Sequence, residues 1–283
     1  MAEGCDLKLG LIGDNIGRSR APLLHRLAGA QHGLRVQYDR LIPAEMGEAF
    51  DDLFEACAQH GFRGVNITYP YKERAAAKVL IADPLVREIG AVNTVLFQPG
   101  GPEGFNTDHS GFIEAYRGAR QSAAPGIVCL IGTGGVGRAL AFGLVALGAD
   151  EIRLVDRDEA KALALAADLR AVAEATEIRV CAGGATEAAR GATGVLNGTP
   201  VGMVGHGGTP LPATSLHGAV WAFDAVYTPV ETQFLQDARA AGLSVFTGYE
   251  LFFWQGVHAW AHFAGQPLDL GRLRAELLRD AEA

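Results

Sequence analysis

The stretch IVCLIGTGGVGRAL (127–140) leaves the backbone few choices. Five apolar residues run into Gly132. Gly132, Gly134 and Gly137 then follow at G-x-G-x-x-G spacing, with Gly135 and Val136 between them and an apolar helix face beyond. Each glycine has a mechanical task at such a strand-to-helix turn: a tight bend, close approach of the backbone to a pyrophosphate, and close packing of helix on strand. The first N–H groups of the helix then point together at one anion. The spacing alone is a weak signal, and its context strengthens it. Asp156 closes the next apolar segment, EIRLVD (151–156), about twenty residues on, where a carboxylate accepts hydrogen bonds from the adenosine ribose. That acid repels a 2′-phosphate and puts NAD ahead of NADP, while Arg157 beside it keeps NADP open.

The segments around this motif alternate strand and helix. After the breaker QSAAPG (121–126), the apolar runs 127–132, 151–156, 177–183, 195–200, 221–227 and 243–248 are separated by helical patterns, including an alanine-rich one over 159–175 and another over 231–241. This is a complete Rossmann-type, doubly wound dinucleotide-binding domain, assigned to 119–248. Upstream, LKLGLIG (7–13), VQYDRLI (36–42) and GVNITYP (64–70) read as strands. A helix from Pro22 and another over 46–61 lie between them, which predicts a second α/β domain with a mainly parallel sheet over 1–118. Residues 249–283 read as helical with no further strand, either capping the second domain or returning to the first.

Composition narrows the function. The chain has 283 residues, 49% hydrophobic and 20% charged, enough for two cores. A net charge of −8 with no basic block argues against nucleic acid. No uninterrupted apolar run long enough for a membrane span is present. Four scattered cysteines, with no C-x-x-C pair, give no zinc or redox site and suit a reducing cytoplasmic compartment; Cys129 reads as a small core residue.

A nicotinamide enzyme that oxidises an alcohol must also take the hydroxyl proton. A zinc solution lacks its ligands, so no metal is expected. A Tyr-x-x-x-Lys solution fails, because Ile42, Glu73, Ala75, Arg120, Glu231 and Phe253 stand four places beyond the six tyrosines. A His-Asp arrangement has only His109 beside Asp108 as its nearest case. Lys72, just past the stop Tyr69-Pro70, and Asp108 in GFNTDHSGF (104–112) remain as an acid/base pair, since a desolvated lysine is tunable and a carboxylate can hold it. Three polar clusters, N-x-T-x-P-x-K (66–72), GAVNT (90–94) and NTDHSGF (106–112), present amides and hydroxyls suited to a polyhydroxylated ligand.

Taken in order, GLIGDNIGRSRAPLLH, GVNITYPYKE, GAVNTV, GFNTDHSGF, LIGTGGVGRA, VLNGTPVGM, FDAVYTPVETQFL and the late Gln255 resemble the shikimate dehydrogenase family over nearly the whole chain, and more closely its NAD-dependent quinate/shikimate branch. The resemblance implies that Lys72 and Asp108 transfer the proton. Asn66, Asn93 and Gln255 hold ring hydroxyls, and Ser19 and Thr68 serve the carboxylate end. The loop carrying Asn197, Thr199 and Pro200, together with Val226, Tyr227 and Gly248, lies on the nicotinamide side. It also implies a small-molecule cyclic hydroxy acid as partner, a monomer or homodimer, and C-terminal helices returning to the first domain.

One position departs from the family pattern. Where relatives of this kind carry S-x-S-P or S-x-T-P, the chain has Ser19-Arg20-Ala21-Pro22, a methyl in place of the second hydroxyl. A hydrogen bond to a charged group contributes about 1.5–3 kcal/mol. Its loss, unless Arg20 or water substitutes, keeps open a different ligand such as an aminoshikimate-like compound, and Tyr249, Phe252, Phe253 and Trp254 before Gln255 either narrow the pocket or fill a helix core. A catalytically weak nucleotide sensor on the same scaffold is the rival from another class.

Overall fold

The computed structural model describes residues 5–279; the first four residues and 280–283, the end of the expected helical tail, lie outside the described residues. The chain divides into two compact units. One comprises the residues up to Thr107 together with those from Gln255 onward, and the other runs from Asp108 to Trp254. The sequence reading put these boundaries at 118/119 and 248/249. The observed division falls at the first residue of the helix Thr107–Arg120 and inside the helix Gly248–Ala264, so no loop composition marks it.

The first unit begins with β1 (Leu7–Ile12), α1 (Ala21–Ala30), β2 (Val36–Leu41), the short α2 (Pro43–Met46), α3 (Phe50–Gln59) and β3 (Gly64–Ile67). Then come α4 (Lys72–Ala76), α5 (Pro84–Ile89), β4 (Thr94–Gln98) and β5 (Gly101–Phe105). The sheet order is β2-β1-β3-β4-β5, with β1 parallel to both neighbours and β3-β4 and β4-β5 antiparallel. The β4-β5 hairpin was absent from the sequence reading, because Gly101-Pro102-Glu103-Gly104 carries none of the apolar alternation that marks a strand. The expected helix over 46–61 forms over Phe50–Gln59 as α3; Met46 instead closes α2, and Gly47, in the left-handed region at φ 68°, ends that short helix.

The C-terminal segment from Gln255 onward contributes to this unit's core. Phe263 turns an edge to the imidazole of His25 at 5.5 Å, and His25 stacks on Tyr38 at 5.0 Å. A Cβ at Gly64 would lie 2.4 Å from the Val95 carbonyl oxygen and 2.5 Å from the Phe263 ring, so β3 is covered closely by the same phenyl group. Farther on, α12 (Leu270–Arg279) packs against α1, and the Arg20 guanidinium donates to the Leu277 carbonyl in the last turn of that helix.

The second unit contains α6 (Thr107–Arg120) from Asp108 on, then β6 (Ile127–Ile131), α7 (Gly135–Ala146), β7 (Glu151–Val155), α8 (Glu159–Val172), β8 (Glu177–Val180), α9 (Ala185–Ala188), β9 (Gly194–Asn197), β10 (Trp221–Asp224), α10 (Gln233–Ala240), β11 (Ser244–Thr247) and the first turns of α11 (Gly248–Ala264). Its six strands are all parallel in the order β11-β10-β9-β6-β7-β8. This is the doubly wound arrangement predicted from sequence. Its order reverses between β6 and β9, the point beyond whose strand ends such sheets bind ligands. One face is held by a cluster of aromatic rings: Phe223 and Phe246 are 4.7 Å apart, Tyr116 meets Trp221 edge-on at 5.3 Å, and Phe112 lies 5.3 Å from Phe223. Such pairs contribute about 0.5–1.5 kcal/mol each beyond their buried area. Cys129 in β6 is fully buried, and burial pushes its thiol up to about 12, so it packs and does not react. Among the described residues no helix is long and apolar enough to cross a membrane.

Replacing Gly64 by alanine is expected to lower the unfolding free energy by roughly 1–3 kcal/mol, the cost of forcing a methyl group into a filled core. Urea denaturation of the variant measures it, and an unchanged midpoint would show that Phe263 does not rest on β3 in solution.

Candidate active site

In the first unit the polar residues singled out from sequence gather at the ends of β3 and β4. Asn66 lies opposite Thr94 in the antiparallel register. The Asn66 side-chain amide donates to the Thr94 hydroxyl at 3.0 Å and to the Asn93 carbonyl at 3.3 Å, while its oxygen accepts from the Tyr38 phenol at 2.8 Å. Asn93 reaches the other way. Its Oδ1 accepts from the Thr107 backbone N–H at 2.7 Å, and its Nδ2 donates to the Thr107 hydroxyl at 2.9 Å and, at 3.5 Å, to Oε1 of Gln255. Asn106 adds a bond from Nδ2 to the Ala91 carbonyl at 2.8 Å. The structure thus brings Asn66, Asn93 and Gln255 into one network, and adds Tyr38, Thr94 and Thr107, which the sequence analysis did not name as site residues. A tyrosine in the middle of VQYDRL gives no local sign that its hydroxyl will reach another strand.

Lys72 opens α4 and is buried despite its charge. Its carbonyl accepts from the Val92 N–H at 2.9 Å, next to Asn93, so its backbone is pinned to the same strand end. Asp108, also buried, directly follows Thr107, whose N–H and hydroxyl are held by Asn93. Thr68 is half-buried, and its N–H bonds to the Ile12 carbonyl at 2.9 Å. Buried Ser19 sits just before α1; its hydroxyl accepts from the Ala21 N–H at 3.3 Å and its carbonyl from Arg40 at 2.6 Å. The bond from Arg20 to Leu277 gives that guanidinium a structural task on α12.

Behind this network His25 is fully buried among Tyr38, Trp260 and Phe263, and burial pushes its imidazole down to about 3. It is therefore a neutral ring that stacks on the tyrosine orienting Asn66.

In the second unit the glycine turn is shaped as the motif requires. Gly132 has φ 95°, open to glycine, and a Cβ there would strike Thr199 at 2.6 Å. A Cβ at Gly137 would stand 2.0 Å from the Gly132 carbonyl oxygen, so the helix meets the turn with no room for a side chain. Gly134 differs: a Cβ would meet nothing within 4 Å, and the space over the start of α7 is left open. Packing does not demand a glycine there, whereas a phosphate approaching the helix N–H groups does. Gly135 and Val136 are the partly exposed first residues of that helix.

Asp156 follows β7 and is locked. One carboxylate oxygen accepts from the Thr133 N–H at 2.7 Å and the Thr133 hydroxyl at 2.8 Å, the other from the Asp158 N–H at 3.0 Å. Burial raises its pKa, but these donors outweigh burial and hold it below the usual carboxylate range. Arg157 is exposed beside it. These residues fit a dinucleotide: an open anion site over α7 and an ionised acid at the next strand end.

Asn197 ends β9 and is fully buried. Its Nδ2 donates to the Val201 carbonyl at 3.0 Å and to Asp224 at 2.9 Å, and its Oδ1 accepts from the Thr199 N–H at 3.0 Å and the Thr199 hydroxyl at 2.6 Å. Asp224, which the sequence analysis passed over, also accepts from the Val226 N–H at 2.9 Å and the Thr232 hydroxyl at 2.6 Å. Tyr227 stacks on Phe252 at 4.9 Å, and Tyr249, Phe252 and Phe253 are buried. Pro200 lies within the same loop as Thr199, and a Cβ at Gly248 would meet the Val226 carbonyl oxygen at 2.5 Å.

Comparison with known proteins gives consistent relatives. The model of the shikimate dehydrogenase substrate-binding domain matches residues 11–95, and one described as NADP oxidoreductase, coenzyme F420-dependent, matches 127–206. A quinate/shikimate dehydrogenase (NAD(+)) of Corynebacterium efficiens is 37% identical over 95% of this chain and 97% of its own. A shikimate dehydrogenase (NADP(+)) of Streptomyces avermitilis is 35% identical over 95% and 94%. The solved structure of quinate dehydrogenase from Corynebacterium glutamicum in complex with NAD superposes with a TM-score of 0.85 at 34% identity, covering 96% of this chain and 99% of that one.

The buried carboxyl of Asp224 gives a pH signature. Burial pushes its pKa up from 3.8 to about 6, against the pull of the Thr232, Val226 and Asn197 donors. Between those values the folded chain keeps a proton that the unfolded chain has lost. The stability from this group is therefore complete below about pH 4 and is lost as pH rises through about 6, a change of about 3 kcal/mol. The unfolding free energy of Asp224→Asn minus that of the parent is expected to grow by about that amount from about pH 4 to about pH 7, as read by urea titration. A constant difference would assign the native proton elsewhere.

Proposed function

The chain belongs to the shikimate dehydrogenase family, and we propose that it oxidises a secondary ring alcohol of a shikimate- or quinate-type cyclic hydroxy acid with NAD as hydride acceptor. At the coarser level it is an oxidoreductase of the shikimate/quinate dehydrogenase type using a nicotinamide dinucleotide. The observation that carries the finer reading is the amide network of Asn66, Asn93, Thr107 and Gln255, with buried Lys72 tied by its carbonyl to Val92 and Asp108 continuing from Thr107.

Bound in the open turn, the dinucleotide supplies a nicotinamide carbon that accepts hydride. The chain's own groups do the rest. Asn66, Asn93 and Gln255 hold ring hydroxyls, and Ser19 and Thr68 serve the carboxylate end. As the C–H bond breaks toward the acceptor, the amine of Lys72 takes the proton of the reacting hydroxyl, leaving a carbonyl. The Asp108 carboxylate stabilises the ammonium that forms, and the reverse reaction returns the proton along the same route. Burial supports this assignment, because an amine removed from bulk water takes the hydroxyl proton without competing solvent.

NAD is favoured over NADP by the state of Asp156. Thr133 and Asp158 hold it as an anion at the end of β7, and a 2′-phosphate bound beside it would meet a like charge. Gly132, Gly134, Gly135, Val136 and Gly137 receive the pyrophosphate. Thr199, Pro200, Val226, Tyr227 and Gly248 flank the nicotinamide.

A second reading keeps the chemistry and changes the ligand. Position 21 carries a methyl group, and the Arg20 guanidinium is bonded to Leu277. The acid group of the substrate then relies on Ser19 and Thr68 alone, which admits a related cyclic polyol.

Purified protein, NAD and a panel of shikimate, quinate, aminoshikimate and related cyclic polyols test both readings through the absorbance of the reduced cofactor. Lys72→Ala is expected to lower kcat by roughly 10²–10⁴-fold, the range for removing a general base, with NAD binding retained. Binding of NAD with no turnover of any panel member would favour the nucleotide-sensor alternative.

Asp156→Ala is expected to weaken NAD and to improve NADP, read as opposite shifts in the two KM values. An unchanged NAD-to-NADP ratio would remove Asp156 from the discrimination.

A further inference from the structure

The bonds at the ends of β9 and β10 form a closed bracket. Asn197 and Asp224 are register partners in the parallel ladder and both have no exposed surface. Both amide hydrogens and both lone-pair sites of Asn197 are already used within the protein, on Val201, Asp224 and Thr199. Thr199 in turn rests its methyl against Gly132, with the Gly198 backbone beside it. On the other side, Asp224 accepts from Val226, which precedes Tyr227, and from Thr232. The Thr232 hydroxyl also accepts from the Leu235 N–H at 3.3 Å and so caps α10. The two loops are joined once more by the Val204 N–H on the Thr228 carbonyl at 3.1 Å.

We propose that Asp224 is a positioning residue for the cofactor: its carboxylate, acting through Asn197, Thr232 and the Val226 N–H, sets the spacing between the glycine turn and the two loops that flank the nicotinamide. Asn197 then acts from behind the site, as a spacer whose hydrogen-bonding capacity is spent before any ligand arrives. The inference rests on the proposed nicotinamide side of residues 199–203 and 226–227. Both carboxylate oxygens are engaged by donors on three different segments, so removing one donor frees one segment while the others stay bonded. A hydroxyl donor to a carboxylate is among the stronger neutral-to-charged bonds, and none of the three donors is itself charged.

The graded variants are Thr232→Val, which removes one donor at constant shape, Thr232→Ser, which restores the hydroxyl, and Asp224→Asn. The Kd for NAD and for NADH is measured by calorimetry in the absence of the cyclic acid, and KM for the acid separately at saturating NAD. Thr232→Val and Asp224→Asn are expected to raise the dinucleotide Kd by at least about fivefold, with the KM for the acid within about twofold of the parent, and Thr232→Ser is expected to return Kd to the parent value. A purely structural role predicts a lower urea midpoint with Kd unchanged in the folded protein, and that result overturns the proposal. Should Asp224→Asn fail to fold, the Thr232 pair decides alone. A parent protein that binds neither NAD nor NADP refutes the underlying reading of the site, and the inference with it; a parent that binds and variants that bind equally well refute the inference only.

Discussion

The side-chain amide of Asn93 ties three separate pieces of chain together. Its own residue enters β4, its oxygen takes the N–H of Thr107 at the start of α6, and its nitrogen reaches the Thr107 hydroxyl and Gln255 on α11. Its backbone carbonyl accepts from Asn66 and from the Ile67 N–H on β3. Lys72 and Asp108 stand one step from these bonds, through Val92 and through Thr107. An aliphatic residue at 93 would leave several buried donors and acceptors unsatisfied at once, each costing about 1–3 kcal/mol. The network therefore fixes geometry and stability together, and the residues assigned to ligand binding are also those that keep the strand ends in place.

The second unit solves the same problem with a charge. Its strand order reverses between β6 and β9, so the connections leave those two strand ends in opposite directions, and the loops beyond them need support. Asp224 gathers those loops around one desolvated carboxylate, whereas Asp156 in the same sheet is only partly buried and is kept ionised by two backbone donors and a hydroxyl. Two aspartates at equivalent strand ends thus carry opposite shifts, upward for Asp224, where desolvation wins, and downward for Asp156, where hydrogen bonding wins.

The second unit was legible in the sequence because its signals are local. A glycine turn, an acid at the next strand end and regular apolar runs each lie within a few residues of what they specify, and all six strands appear where the runs placed them. The first unit was legible only in its parallel part. β5 has too few apolar residues to announce a strand, and the helix expected from Met46 begins only at Phe50, after Gly47 has ended α2. The polar strings around Asn66, Asn93 and Asp108 gave the ligand side as a set of residues. Tyr38 and Thr94 meet Asn66 on β3, Thr107 meets Asn93, and Asp224 meets Asn197 on β9 as well as Val226 and Thr232; no spacing along the chain encodes the bonds between separate elements. The sequence reading draws the boundaries at 118/119 and 248/249, and the chain divides at the start of α6 and inside α11, where no loop composition marks a boundary.

The route of the chain has a consequence for biogenesis. The unit that holds Lys72 is assembled from two stretches of sequence separated by the whole of the other unit, and the late stretch brings Phe263 onto β3, Trp260 toward His25 and α12 onto α1. While the polypeptide emerges from the ribosome, the early stretch waits with that face of its sheet uncovered, as the intervening nucleotide fold is completed first. Chaperone dependence and aggregation should accordingly track the exposed face of β1 and β3 during synthesis.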